Sequence, residues 1–77
     1  MLSNNPLISI ILAVRNEEKS IDKCINSILS QNYKNFELLV IDDNSSDKTY
    51  QKIKIYSKKD KRISTYKSKK QVGLPKL

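Results

Sequence analysis

The stretch Glu37–Thr49, "ELLVIDDNSSDKT", decides the fold and poses a question about charge. Four apolar residues run directly into two adjacent carboxylates, Asp42 and Asp43. A short apolar run that stops at a polar loop predicts a buried strand of a parallel sheet, here over Phe36–Ile41. Because burying unpaired like charges is costly, the acid pair indicates that the strand ends at a ligand, a metal or a polar loop.

The segment before this strand predicts a strand and then a helix. "ISIILAV", Ile8–Val14, is an almost unbroken apolar run and predicts a strand buried on both faces. Ser20 is a suitable N-cap, and Asp22 suits the first turn of the helix that follows. The helix has an apolar stripe at helical spacing, formed by Ile21, Cys24, Ile25, Ile28 and Leu29.

The segment after it repeats the pattern more weakly. Ser46 or Asp47 is expected to cap a second helix, whose thin apolar stripe is Tyr50, Ile53 and Tyr56. "RISTY", residues 62–66, predicts a third strand, followed by a loop "KSKKQVG" and a helix opening at "LPKL". The order β-α-β-α-β predicts an α/β fold with a parallel three-stranded sheet and right-handed crossovers.

Length and composition limit the chain to a single small domain, residues 1–77. The one cysteine, Cys24, and the absence of histidine exclude an internal disulfide and a Cys/His metal cage. No apolar run reaches the roughly 18 residues of a membrane span, and the N-terminus lacks the basic region of a signal peptide. The expected location is therefore the cytoplasm.

Charge is distributed unevenly along the chain. Residues 1–47 hold four Lys/Arg and seven Asp/Glu, whereas residues 48–77 hold eleven Lys/Arg and one Asp. One alternative function is therefore a small basic module that binds nucleic acid or an acidic membrane. Lysine supplies thirteen of the fifteen basic residues, which favours a solvated surface over planar phosphate recognition. The patch would comprise Lys58, Lys59, Lys61, Arg62, Lys67, Lys69 and Lys70.

Two polar segments, "AVRNEE" and "DDNSSD", follow the first and second predicted strands. Ligands of open α/β sheets bind at the carboxyl ends of the strands, so these loops are expected to lie side by side. The expected pocket is lined by Arg15, Asn16, Glu17, Asp42 and Asp43. Neither loop has the glycines of a dinucleotide or P-loop site. Carboxylates can instead accept hydrogen bonds from a base or a ribose, and an arginine can meet a phosphate.

From Pro6 onward, the chain resembles the N-terminal region of family-2 glycosyltransferases. "AVRNEE", "SILSQNY" and "VIDDNSSD" match, in order, that family's "PVYNEE", "SLLSQTY" and "VVDDGSTD" segments. The resemblance implies a partial Rossmann-like GT-A fold and an enzyme that transfers a sugar with inversion from a nucleotide-sugar donor, with UDP as the expected nucleotide. It departs from the family pattern at Ala13, where proline is frequent, at Arg15, where tyrosine is frequent, and at Asn44, where glycine is frequent.

The resemblance assigns the site residue by residue. The nucleotide-binding positions are Ala13, Val14, Arg15, Glu17, Asp42 and Asp43. Glu17 is expected near the ribose, and Asp43 is expected to bond the base, through N3–H if the base is uracil. Asp42 is expected to support the loop.

The family's D-x-D motif, which binds Mg²⁺ or Mn²⁺ and the diphosphate, and its catalytic base are not in these 77 residues. The resemblance therefore implies a truncated fragment that binds no metal, carries no catalytic residue and is inactive alone. Its longer enzyme is expected to use Mg²⁺ or Mn²⁺ and to associate peripherally with the inner face of the membrane. The exposed sheet edge suggests a homo-oligomer. A phosphoacceptor domain is a weaker alternative, because the third strand ends in "TYKSKK" without an aspartate.

Overall fold

A computed structural model describes residues 6–69. The elements are β1 Ile8–Val14, α1 Ile21–Leu29, β2 Phe36–Asp42, α2 Thr49–Lys59 and β3 Ile63–Lys67. This order confirms the predicted α/β alternation. The helix predicted at "LPKL" and most of the "KSKKQVG" loop lie outside the described residues.

The three strands form a parallel sheet in the order β1-β2-β3. At its carboxyl edge, Val14 pairs with Asp42, and Asp42 pairs with Lys67. Both crossovers step in the same direction across the sheet, so right-handed connections place α1 and α2 on one face. The two helices also contact each other, which closes a single layer over that face.

Apolar burial is concentrated between the helices and this face of the sheet. Ile25 of α1, Ile53 of α2 and Val40 of β2 are completely buried. The full core is Val14, Ile21, Ile25, Phe36, Leu38, Val40, Ile53 and Ile63. At about 1.5–3 kcal/mol for each fully buried aliphatic side chain, this layer is the main source of stability in the described part of the chain.

The prediction that β1 is buried on both faces is wrong. Ile10 and Leu12 pack against the core, but Ile8 and Ile11 are 46% and 47% exposed. The cause is that β1 is an edge strand of the described sheet and the helices cover only one of its faces. Ile11 shares the open face with Tyr66 of β3, which is 60% exposed. An apolar run in the sequence shows that a strand is apolar, not which face receives a covering layer.

The two helix starts differ from the predicted caps in detail. Ser20 occupies the N-cap of α1, but its hydroxyl donates to Glu17 Oε1 at 2.9 Å instead of accepting a helix amide. In α2 the N-cap position belongs to Lys48. Asp47, one residue earlier, accepts the amide of Thr49 at 2.9 Å and so performs the capping chemistry that the sequence suggested.

Polar side chains of α2 bond Asp22 of α1 and so connect the two helices. Lys52 Nζ lies 3.1 Å from Asp22 Oδ2, and the Tyr56 hydroxyl donates to Asp22 Oδ1 at 2.9 Å. The hydrogen bond from Lys52 lowers the pKa of Asp22, whereas burial and Asp22 raise the pKa of Tyr56. At the opposite end of the sheet, the guanidinium of Arg62 bonds Asp60 and lowers the pKa of that carboxyl.

In residues 6–69, no helix has both the length and the apolar character needed to cross a membrane.

Candidate nucleotide site

Two loops meet at the carboxyl edge of the sheet, as the sequence predicted. We call residues 15–20, between β1 and α1, the first loop, and residues 43–48, between β2 and α2, the second loop. The amide of Asp43 donates to the carbonyl of Val14 at 2.8 Å, which extends the β1–β2 pairing into the loops. The first two loops after the strands are therefore in direct contact.

The first connection between the loops starts at Asp42. The Ser45 hydroxyl donates to Asp42 Oδ1 at 2.5 Å and accepts the amide of Asn16 at 2.8 Å. The amide of Ser45 also donates to Asp42 Oδ2 at 2.9 Å. Because a hydroxyl has one proton, the carboxylate fixes its direction and turns an oxygen lone pair towards the first loop.

The second connection repeats the arrangement one step further along. The Thr49 hydroxyl donates to Asp47 Oδ1 at 2.5 Å and accepts the amide of Glu17 at 2.9 Å. Asp47 Oδ2 accepts the amide of Glu18 at 3.3 Å. The hydrogen bond from Thr49 lowers the pKa of Asp47, so the carboxylate is charged at neutral pH and accepts all these donors.

The first loop also supplies acceptors for amides of the second loop. The side-chain oxygen of Asn16 accepts the amide of Ser46 at 2.8 Å, and Glu18 Oε1 accepts the amide of Lys48 at 3.2 Å. Lys52 Nζ, which also pairs with Asp22 of α1, donates to the carbonyl of Glu18 at 2.8 Å. The first loop is thus held by the second loop and by α2, rather than by its own residues alone.

Each loop turns through one residue with left-handed backbone geometry. Asn16 has φ of 51° and Asn44 has φ of 56°. Asparagine is among the residues that tolerate this region, and glycine is the residue that adopts it most readily. The chain can therefore have Asn44 at a position where glycine is frequent in the family that its sequence resembles.

Asp42 is completely buried, and its charge is balanced locally. Lys67 Nζ lies 3.5 Å from Asp42 Oδ2 and donates to the carbonyl of Ser45 at 3.3 Å. The same ammonium lies 5.2 Å from the ring centre of Tyr50. These contacts make Asp42 a support for the second loop, which is the structural role expected of it. Its contribution to nucleotide binding stays a prediction.

The remaining predicted nucleotide-binding residues occupy three different settings at this edge. Ala13, Val14 and Glu17 line a pocket of about 190 Å³ between β1 and α1, together with Leu12, Ser20, Ile21 and Cys24. Asp43, directly after β2, is buried and bonds the carbonyl of Val14 with its amide, but it is not one of the residues that line this pocket. Arg15 is exposed at the start of the first loop. The residues expected to line a single pocket are therefore spread along the carboxyl edge of the sheet and do not enclose one common cavity.

The interloop bonds also limit how this edge could hold phosphate. Backbone amides at the start of a helix are a common phosphate site in α/β folds. Here the amides of Asn16, Glu17 and Glu18 already donate to side chains of the second loop and α2. These three amides of the first loop are therefore already engaged and are not free to bind a phosphate.

Within residues 6–69 there is no group of three or more His, Cys, Asp or Glu side chains that could hold a metal ion. The described residues thus do not fit the Mg²⁺ or Mn²⁺ expected for the longer enzyme. Asp42 accepts hydrogen bonds from Ser45 and lies beside Lys67.

Sequence reasoning missed the residues that hold the loops together. Ser45 and Thr49 are buried hydroxyls, while Lys52 and Lys67 bond loop carbonyls with their ammonium groups. The signal was present as a carboxylate followed by a hydroxyl two or three residues later, in Asp42–Ser45 and Asp47–Thr49. This spacing is typical of local side-chain to backbone bonding, but it does not show that the hydroxyl has a second partner in another loop.

The sequence profile described as Glycosyl transferase family 2 matches residues 9–76. The chain belongs to this family. An uncharacterized glycosyltransferase of Haemophilus influenzae is 42% identical over 72 residues, which cover 94% of this chain and 22% of that protein. Escherichia coli UDP-Glc:alpha-D-GlcNAc-diphosphoundecaprenol beta-1,3-glucosyltransferase WfgD is 49% identical over 57 residues, covering 74% of this chain and 22% of that protein.

The fold of this family-2 chain is also found in a solved structure. Mannosyltransferase PcManGT from Pyrobaculum calidifontis, in complex with GDP-Man and Mn²⁺, superposes with a TM-score of 0.82 at 20% identity. The superposition covers 94% of this chain and 22% of the mannosyltransferase. The chain thus spans about a fifth of the length of these two relatives and of the mannosyltransferase, and it shares the fold of the matched part of the mannosyltransferase.

Proposed function

We propose that this chain forms the nucleoside-binding part of an inverting glycosyltransferase that uses a nucleotide-sugar donor. The observation that carries the proposal is the bonded pair of loops at the carboxyl edge of the sheet, with Asp43 in the second loop directly after β2 and Glu17 in the first loop after β1. Open α/β sheets bind ligands at this edge. Membership of glycosyl transferase family 2 supplies the reaction class.

In this proposal Asp43 recognises the base. A carboxylate only accepts hydrogen bonds, so it suits a base that presents an N–H on its Watson–Crick edge, as uracil does at N3 and guanine does at N1. Cytosine has a lone pair instead of an N–H at N3, and its only Watson–Crick donor is the N4 amino group, so it offers no donor at the ring position where uracil has one. We propose UDP as the nucleotide, because the Escherichia coli relative at 49% identity is named for UDP-Glc.

The other residues shape the rest of the nucleoside site. Glu17 accepts hydrogen bonds from ribose hydroxyls, and the backbone of Ala13 and Val14 forms the floor beneath the nucleoside. Arg15, which is exposed and positively charged, is available to the donor's phosphates. Asp42 acts indirectly by holding the second loop in place.

Metal binding and catalysis are proposed to depend on residues other than these 77. A D-x-D motif among those other residues would hold Mg²⁺ or Mn²⁺, and the metal would neutralise charge on the departing diphosphate. We also propose a cytoplasmic enzyme that works at the inner face of the membrane. Support comes from the diphosphoundecaprenol acceptor in the name of the Escherichia coli relative.

Base selectivity tests the assignment of Asp43. Isothermal titration of the chain with UDP and CDP should show tighter binding of UDP. Asp43→Asn should weaken UDP by about ten- to hundredfold, because a hydrogen bond to a charged group is lost, and it should reduce the preference over CDP. Asp60→Asn is a matched control, since Asp60 lies at the opposite end of the sheet and should leave both affinities unchanged.

Two results would reject parts of this proposal. If the folded chain binds neither UDP nor GDP, the nucleoside-binding function is wrong. If UDP binds and Asp43→Asn retains both affinity and base preference, another residue recognises the base. Circular dichroism of each variant separates either result from unfolding.

A nucleic-acid or acidic-membrane module has less support from the contacts. Two of the seven residues proposed for the basic patch have carboxylate partners, because Arg62 pairs with Asp60 and Lys67 lies beside Asp42. Arg62 also stacks on the ring of Phe36, 4.3 Å from its centre. Lys70 lies outside the described residues.

A further inference from the structure

We infer that Thr49 and Asp47, on the α2 side of the edge, are positioning residues that set the ribose selectivity of the site through Glu17. The inference rests on the proposed function, and it adds a role to two residues that lie outside the expected nucleotide contacts. It begins with the backbone of Glu17. That amide has an acceptor in the Thr49 hydroxyl, 2.9 Å away on the neighbouring element.

The geometry of this contact leaves little freedom. Thr49 is completely buried, so its hydroxyl has no access to water as an alternative partner. Its single proton is directed to Asp47 Oδ1, and its oxygen therefore faces the amide of Glu17. Asp47 Oδ2 holds the next amide, that of Glu18. Two successive peptide groups of the first loop are thus fixed by one carboxylate and one hydroxyl.

The fixed backbone of Glu17 determines where its side-chain carboxylate lies. Its backbone is anchored by Thr49, and its side chain lines the pocket between β1 and α1, where Oε1 accepts the Ser20 hydroxyl at 2.9 Å. A carboxylate discriminates ribose from 2′-deoxyribose only if its oxygen stands within hydrogen-bond reach of the hydroxyl. Without the Thr49 hydroxyl, the partly buried amide of Glu17 loses its partner, and the loop is expected to move to recover one.

A specific loss of ribose selectivity is the expected result of removing the Thr49 hydroxyl. Wild-type chain should bind UDP more tightly than 2′-deoxy-UDP. Thr49→Val, which keeps the shape and removes the hydroxyl, should reduce that ratio by about tenfold, towards equal binding. Thr49→Ser restores the hydroxyl and should restore the ratio. Thr65→Val, in the middle of β3, is the matched control and should leave the ratio unchanged.

Titration calorimetry gives the ratio, and amide hydrogen exchange by NMR reports on the bond itself. Thr49→Val should lose protection at the amide of Glu17, and Asp47→Asn should do the same at Glu18. Asp47→Asn retains one side-chain oxygen and serves as the second variant if Thr49→Val does not fold. Thermal midpoints measured in parallel identify general destabilisation.

Each outcome has a separate meaning. A chain that binds no uridine nucleotide rejects the proposed function, and the positioning role falls with it. Equal binding of UDP and 2′-deoxy-UDP by the wild type rejects the ribose contact of Glu17 and this inference, but not base recognition by Asp43. If the wild type discriminates and both variants keep the ratio despite losing amide protection, the positioning role is wrong while the proposed function stands.

Discussion

The layer beneath the helices and the carboxyl edge of the sheet are built from different interactions. The layer consists of aliphatic side chains, with Ile25, Val40 and Ile53 completely buried. The edge consists of carboxylates and hydroxyls, of which Asp42 and Thr49 are buried just as completely. Burial alone therefore does not distinguish the two regions. They differ in the kind of contact: apolar packing has no preferred direction, whereas a hydrogen bond requires a defined angle between donor and acceptor.

This difference separates stability from positioning. Apolar burial depends on the area removed from water and tolerates small shifts of the side chains. A hydrogen bond weakens steeply with misalignment, so the chain of bonds from Asp47 through Thr49 to Glu17 specifies one loop geometry. We therefore expect changes in the layer to alter the free energy of unfolding most, and changes at the edge to alter loop geometry as well.

The largest effect is expected from opening a cavity in the layer. Ile53→Ala should lower the free energy of unfolding by about 2–5 kcal/mol, because a completely buried side chain is truncated. Ile11→Ala makes the same chemical change on the open face and should cost much less. Urea unfolding followed by circular dichroism measures both. Equal losses for the two variants would show that the open face is covered in solution.

An intermediate effect is expected from removing the buried carboxylate of the edge. Asp42→Ala should lower the free energy of unfolding by about 1–3 kcal/mol, because the amide and hydroxyl of Ser45 lose their acceptor. Glu37→Ala, an exposed acid on the same strand, should change it by less than about 0.5 kcal/mol. NMR should show the Asn16 amide shifting in the first variant alone. An unchanged Asn16 signal would contradict the connection through Ser45.

The smallest effect is expected from acid titration of the edge. The pKa of Asp47 lies below the usual 3.8, so its bonds stabilise the fold fully above that value. This contribution is lost as the pH falls through the lower, folded-state pKa. The thermal midpoint should therefore drop as the pH is lowered from about 5 through 3.8 and further below it, and Asp47→Asn should reduce the drop. Asp22 and Asp60, whose pKa values are also lowered, contribute to the same drop. A variant with the full wild-type drop would exclude Asp47 as a contributor.

The layer was largely predictable from the sequence because apolar spacing carries its information locally. Both ends of β1 were predicted correctly, and the stripe of α1 identified Ile21 and Ile25 as buried. β2 is one residue longer than predicted and β3 is shifted by one residue, since ladder pairing extends to Asp42 and Lys67. The exposure of Ile11 was not predictable, because it depends on which side the crossovers place the helices.

The edge was predictable in outline only. The sequence indicated that the two loops are neighbours, since that follows from strand order. It did not indicate that Ser45 and Thr49 bond Asn16 and Glu17, about thirty positions away in the chain. Such pairs depend on the register of β1 with β2 and on side-chain rotamers, neither of which a single sequence specifies. The roles of the six expected nucleotide-binding residues stay predictions.

The two asparagines with positive φ have a consequence for the entropy of ligand binding. Glycine at Asn16 and Asn44 would adopt the same turns but would sample more backbone conformations in the unfolded chain. Asparagine has less of that freedom, although at positive φ it has a conformational cost that glycine does not have. Here Asn16 also contributes a bond to Ser46. The bonds of Asn16 to Ser45 and Ser46 already hold this turn in the folded chain, so a ligand has correspondingly less disorder to remove on binding.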